Sequence, residues 1–146
     1  MANIKDIFQS AANYAEIRMM YGTPEQVEDQ HRRVRQADNS TPYPVLMIFE
    51  QQPAEISLEY HTYSNFIVLF ASRIKSEKIN SENETVFDSL ISLKNALITG
   101  LCKTSGISGI YPSTFTHEQT KKLLLLSTDK ICGLEIKFTN LQIKNC

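Results

Sequence analysis

The sequence predicts an α+β domain: an antiparallel or mixed β-sheet of about four or five strands, with one long helix and an N-terminal helix packed on one face. Three observations predict it. Val86, Leu90, Leu93, Leu97 and Leu101 recur at three- and four-residue steps, the period of a helix with one buried stripe. The runs Val45 to Phe49 and Ile67 to Ala71 are apolar throughout and of strand length. Leu134, Ile136 and Phe138 alternate with Glu135 and Lys137 as a half-buried strand does. At 146 residues the chain has the commonest size of one domain, enough to bury about 70% of its unfolded surface, so 1–146 is read as a single unit.

From Asn3 to Ala15 the apolar positions Ile4, Ile7, Phe8, Ala11, Ala12 and Ala15 define a first helix, with Asn3 as its cap. Tyr14 to Tyr21 is ambiguous, because Ala15, Ile17 and Met19 alternate with Glu16 and Arg18 while Ala and Met also extend a helix; it is carried as helix. Gly22-Thr23-Pro24 stops it, and Thr23 to Gln26 with Pro24 in the first helical position is a possible cap for a short second helix. Beyond that, Val27 and Val34 are the apolar positions up to Thr41 apart from Ala37, too few for a core. Residues 21–41 are therefore expected to form an exposed loop or assembly arm.

Pro42-Tyr43-Pro44 sets an extended approach to Val45–Phe49, expected to be a central strand covered on both faces. Ile56, Leu58 and Tyr60 alternate with Ser57, Glu59 and His61, and a bend near Ser64-Asn65 precedes the run to Ser72, giving two strands or one bent strand. Ser81 and Glu84 form a capping box at the start of the long helix, which Gly100 or Gly106 ends. Gly106 to Gln119 is expected to be loop. Lys122–Ser127 and Ile131–Thr139 are expected to close the chain as a hairpin turning at Thr128-Asp129-Lys130, prolonged through Leu141 and Ile143 past a bulge at Asn140. The expected core joins Val45, Met47 and Phe49 to Phe66, Val68 and Phe70 beneath Val86, Leu90, Leu93 and Leu97.

Chemistry is sparse. Cys102, Cys132 and Cys146 are odd in number and widely spaced, which fits neither a disulfide framework nor paired zinc ligands. They are read as two core thiols and one tail thiol. His31, His61 and His117 lack the i,i+4 partner or clustered Cys and Asp of a metal site, and pairing Cys102 with His117 as a nucleophile has no motif behind it. No glycine pattern cradles a phosphate. No catalytic, cofactor-binding or metal-ligating residue is assigned, and no cofactor is expected.

Fifteen basic and sixteen acidic side chains give a net charge of -1, against a dedicated nucleic-acid binder. The basic cluster Arg32, Arg33 and Arg35 is flanked by Glu25, Glu28, Asp29 and Asp38, so it is read as a protein-facing interface rather than a nucleic-acid contact. No apolar run approaches the roughly 20 residues that span a bilayer, and Met1 to Asp6 lacks the basic and apolar stretches of a secretory signal. The expectation is a protein that stays where it is made and binds no membrane.

Tyr43 to Glu50, Asn65 to Ala71, Glu82 to Leu101 and Asp129 to Thr139, taken in that order, resemble the small tail-terminator and tail-completion proteins of tailed bacteriophages, in the version associated with phages of Bacteroidetes. The likeness covers the chain from Pro42 onward; the region before Tyr43 departs from it. In that family a Tyr-Pro strand opens the sheet, a second strand leads into one long helix, and a terminal hairpin carries a Gly before an alternating strand. The resemblance implies a non-enzymatic virion protein of the tail or neck, assembled from the host cytoplasm as a homo-oligomeric ring, a hexamer, that contacts the tail tube or the neck and head-completion proteins. The alternative from the residues alone is a small intracellular protein-binding or regulatory domain.

Overall fold

Five strands form one mixed sheet in the computed structural model, which describes residues 4–38, 44–73, 80–103, 116–126 and 129–144. The chain runs α1 (Ile4–Ala15), β1 (Arg18–Gly22), α2 (Pro24–Asp38), β2 (Val45–Phe49), β3 (Glu55–Ile56), β4 (Tyr60–Tyr63), β5 (Phe66–Arg73), α3 (Asn80–Cys102), β6 (Thr116–Leu126), β7 (Asp129–Thr139) and β8 (Leu141–Lys144). The main sheet has the order β1-β2-β5-β7-β6, and β3-β4-β8 form a smaller one. In the main sheet β1 runs parallel to β2 and the other pairs are antiparallel. The α+β class and the mixed sheet are as the sequence predicts.

The main core lies between the sheet and the two helices α1 and α3. Ile7, Phe8, Ala11 and Ala12 of α1 are buried there with Leu90, Leu97 and Leu101 of α3, over Phe66, Val68 and Phe70 of β5 and Leu134, Ile136 and Phe138 of β7. Phe8 centres it, its ring 5.1 Å from Phe66 and 5.8 Å from Phe138. Such aromatic pairs contribute about 0.5–1.5 kcal/mol each beyond their buried area.

Three expectations change here, each because a partner element decides the local structure. The stretch after Ala15 is a strand, not helix. Glu16 adopts φ 58, and the amides of Glu16 and Ile17 donate to the carbonyls of Asn13 and Ala12 at 3.1 and 3.0 Å, the two bonds of a Schellman cap. β1 follows because Met19 and Met20 lie beside Leu46 and Met47. In β2 the phase is reversed: Leu46 and Ile48 face the main core, while Val45 and Met47 face the opposite side with Met20, Val27, Ala71 and Ile131. Phe49, expected in the core, is 37% exposed. A strand apolar on both faces carries no phase signal, and only the second layer reveals it.

Gly100 does not end α3. It is buried inside the helix against α1, where a Cβ would stand 3.1 Å from the Cα of Ala11 and 3.2 Å from the Cβ of Tyr14. The absent side chain lets the helices approach, and α3 continues to Cys102. At its other end α3 begins at Asn80; the Ser81 cap and Gly106 lie outside the described side chains and residues.

β6 starts at Thr116, within the stretch expected to be loop, and pairs with β7 from Thr116↔Thr139 to Leu126↔Asp129, so Asp129 and Lys130, expected in the turn, belong to β7, while Thr128 lies outside the described residues. β4 and β5 are two strands separated by a bend at residues 64 and 65. Opposite them Asn140, at φ 59, turns β7 into β8. The ribbon thus leaves the main sheet and carries the small sheet.

Candidate interaction surface

The small sheet ends in a projecting hairpin. Ile56 to Tyr60, expected to read as alternating strand, reverses direction instead, because Ser57 holds the turn. Its hydroxyl accepts from the amides of Tyr60 (3.0 Å) and Glu59 (3.3 Å), and its amide donates to the Tyr60 carbonyl at 2.8 Å. The Ala54 amide donates to the Thr62 carbonyl at 2.8 Å, closing the base. At the root Tyr63 is buried edge-on to Phe66, with ring centroids 5.2 Å apart. The hairpin carries two exposed apolar side chains, Ile56 on β3 at 70% and Leu58 in the turn at 98% exposure. A single exposed leucine is ordinary; two on a hydrogen-bonded hairpin form a raised apolar feature.

The two edges of the main sheet differ. β6 pairs with β7 over its 11 residues and with no other strand among those described, and Thr116 and Glu118 to Lys121 are exposed along it. Its outer edge is a template for another strand, and the polar side chains on its first half temper it. The β1 edge is covered at Tyr21. The side-chain amide of Gln30 on α2 donates to the Tyr21 carbonyl at 2.9 Å and accepts from the Tyr21 amide at 3.3 Å, imitating one peptide unit of a neighbouring strand. Gln51 does the same inside the sheet, bonding both the amide and the carbonyl of Ile67 where β2 ends.

Residues 21–41, expected to be an exposed loop or arm, contain the end of β1 and the 15-residue α2. The capping box forms as read: the Gln26 amide donates to the Thr23 hydroxyl at 3.3 Å, and the Thr23 amide donates to the Gln26 side chain at 2.9 Å. Val27 and His31, one turn apart, are buried. The polar stretch is the crossover that two parallel strands require, and a crossover helix needs only a narrow apolar stripe. Without β1 recognised as a strand, nothing in the sequence demanded a crossover.

Arg32 and Arg33 face solvent at 67% and 77% side-chain exposure. Both pair with Asp29 one turn earlier, Arg33 at 2.9 Å. Exposed pairs of this kind contribute about 0–1 kcal/mol. Arg35 lies on α2, its side chain outside those described.

The remaining reactive groups do not converge. Cys132 is fully buried and Cys102 half-buried, and burial raises both thiols above their ordinary pKa, with Glu84 adding to the shift at Cys132. Cys146 lies outside the described residues. His117 is half-buried with its ring 6.3 Å from Phe138; burial lowers its pKa and the nearby Lys94 ammonium lowers it further. No group of three or more His, Cys, Asp or Glu among the described residues could hold a metal ion, and no helix there is long and apolar enough to cross a membrane.

An open pocket of about 240 Å³ lies beside the first half of α3, lined by Pro44, Ser72, Val86, Ser89, Leu90 and Leu93 among others. It holds no acid–base pair. Its walls are apolar with neutral hydroxyls, so it suits an apolar side chain better than a reaction. Comparison of the chain with protein-family models, curated proteins and solved structures found no match.

Proposed function

We propose that this chain is a non-enzymatic virion structural protein, a ring-forming tail-terminator, tail-completion or head-to-tail joining subunit of a tailed bacteriophage. The observation that carries association rather than catalysis is the hairpin of the small sheet, with Ile56 exposed on its strand and Leu58 in its turn. The 11-residue edge of β6, which no other described strand pairs, supports the same reading. The phage assignment rests on the resemblance. Its segments fall on β2, β5, α3 and β7; the three strands are consecutive in the sheet and α3 packs on β5 and β7. The likeness therefore follows one contiguous pair of layers.

In this reading the partners are other copies of the chain, forming a hexamer, and the tail tube or the neck and head-completion proteins. Arg32, Arg33 and Arg35 belong to the subunit interface or to the face that meets those partners. Location is the tail or neck of the virion, reached from the host cytoplasm during assembly.

Negative-stain microscopy and native mass spectrometry of the purified chain test this. Closed rings of uniform mass, together with failed joining or uncontrolled tail length in particles assembled without the protein, are expected. A chain that remains monomeric and instead forms a stoichiometric complex with a cellular protein would replace this reading with that of a small intracellular binding domain.

A further inference from the structure

We propose that Leu58 of one copy seats in the pocket beside α3 of the next copy, so that subunits associate head to tail; this deepens the ring reading and rests on it. The two features are complementary in kind. Leu58 is 98% exposed on a turn braced by Ser57, and the pocket of about 240 Å³ presents Pro44, Val86, Leu90 and Leu93. A dry cavity of about 150 Å³ already accepts a benzene-sized group, so a leucyl side chain fits with space for a neighbour such as Ile56.

Position excludes the same copy. The hairpin joins the sheet before Phe66, at the start of β5, while the pocket is lined by Ser72 at its far end and by Pro44, next to Val45 that pairs with Ala71. The run of β5 from Phe66 to Ser72 places about 20 Å between them. The knob and the hole are different surfaces at opposite ends of one strand, so the contact is heterologous. It propagates from copy to copy and closes as a ring when the rotation per step divides a full turn.

The electrostatics permit it. Glu55 and Glu59 flank the apex and are exposed. The pocket wall offers the neutral hydroxyls of Ser72 and Ser89, and the nearby Glu84 is held by Lys121 at 2.9 Å. An acidic hairpin therefore meets no carboxylate in the pocket lining.

The test uses the full chain in three forms: wild type, Leu58→Asp, which puts a charge on the knob, and Ser89→Trp, which fills the hole from an exposed helix position. Circular dichroism melts establish that both variants fold as the wild type does, as their exposure leads one to expect. Light scattering after size exclusion should give an oligomer for the wild type and monomers for each variant. A 1:1 mixture of the variants should give dimers and nothing larger, since the one intact interface left joins Leu58 of the Ser89→Trp chain to the pocket of the Leu58→Asp chain. A wild-type ring that persists in either variant, or variants that stay monomeric when mixed, overturns this contact and leaves the ring reading standing. A wild type that never associates overturns both.

Discussion

Gly100→Ala is a substitution whose sign tests the helix packing directly. In an exposed helix interior this change stabilises by about 1 kcal/mol, because glycine loses more backbone freedom on folding than alanine. Here the new Cβ would meet the Cα of Ala11 at 3.1 Å, its carbonyl oxygen at 3.2 Å and the Cβ of Tyr14 at 3.2 Å. None of these is the free end of a flexible side chain, so α1 as a whole must yield by a few tenths of an ångström. Inserting a methyl group into a packed core costs about 1–3 kcal/mol, and this exceeds the propensity gain. The expected net loss is about 1 kcal/mol, or a fall of about 2–4 °C in Tm for a domain near this size. Gly100→Val places further methyl groups against the same backbone atoms and adds a β-branched residue to the helix, so the loss should grow. Thermal melts followed by circular dichroism measure both. A rise of about 2–4 °C for Gly100→Ala would show that α1 and α3 are not pressed together at this point, and the argument for Gly100 as a packing residue would fail.

Glu16→Gly should stabilise by about 0.5–1 kcal/mol, since a left-handed residue other than glycine carries a steric penalty that exceeds the entropy glycine adds to the unfolded chain; denaturant melts check this, and a loss would contradict the cap geometry at φ 58. Gln30→Ala removes both bonds to Tyr21, costing about 1–2 kcal/mol, and opens the β1 edge; faster growth of turbidity on mild heating is the expected sign, and unchanged solubility would mean that α2 protects the edge without Gln30. The lowered pKa of His117 in the folded chain means that the unfolded chain binds a proton first as pH falls. Stability should therefore be greatest above the ordinary histidine range, about 6.5, and decline as pH falls from there toward the lower folded pKa, below which it levels off. His117→Gln should flatten that decline in melts between about pH 7 and 5; an unaltered slope would assign it to other groups.

Wherever a pattern was long and repeated, the sequence alone determined the element. The heptad-like spacing from Val86 to Leu101 specifies α3, the stripe from Ile4 to Ala12 specifies α1, and alternation in Leu134, Ile136 and Phe138 specifies both the existence of β7 and the face it buries. The reciprocal cap of Thr23 and Gln26 was legible because it involves atoms three residues apart. The apex of the hairpin was not, since Ile56, Leu58 and Tyr60 alternate as a strand would, and the Ser57 hydroxyl bonds that reverse the chain leave no periodic trace. The pocket draws on Pro44 just before β2, on β5 and on α3, so none of its residues is marked by its neighbours in sequence. Only the tertiary structure decided that β1 is a strand, that β2 turns Leu46 and Ile48 rather than Val45 and Met47 toward α1 and α3, and that a polar stretch is the helix between two parallel strands. The physical reason is common to all three: each depends on a surface contributed by a distant part of the chain, and side-chain burial there is settled by which layer covers which face, a quantity that local spacing does not encode.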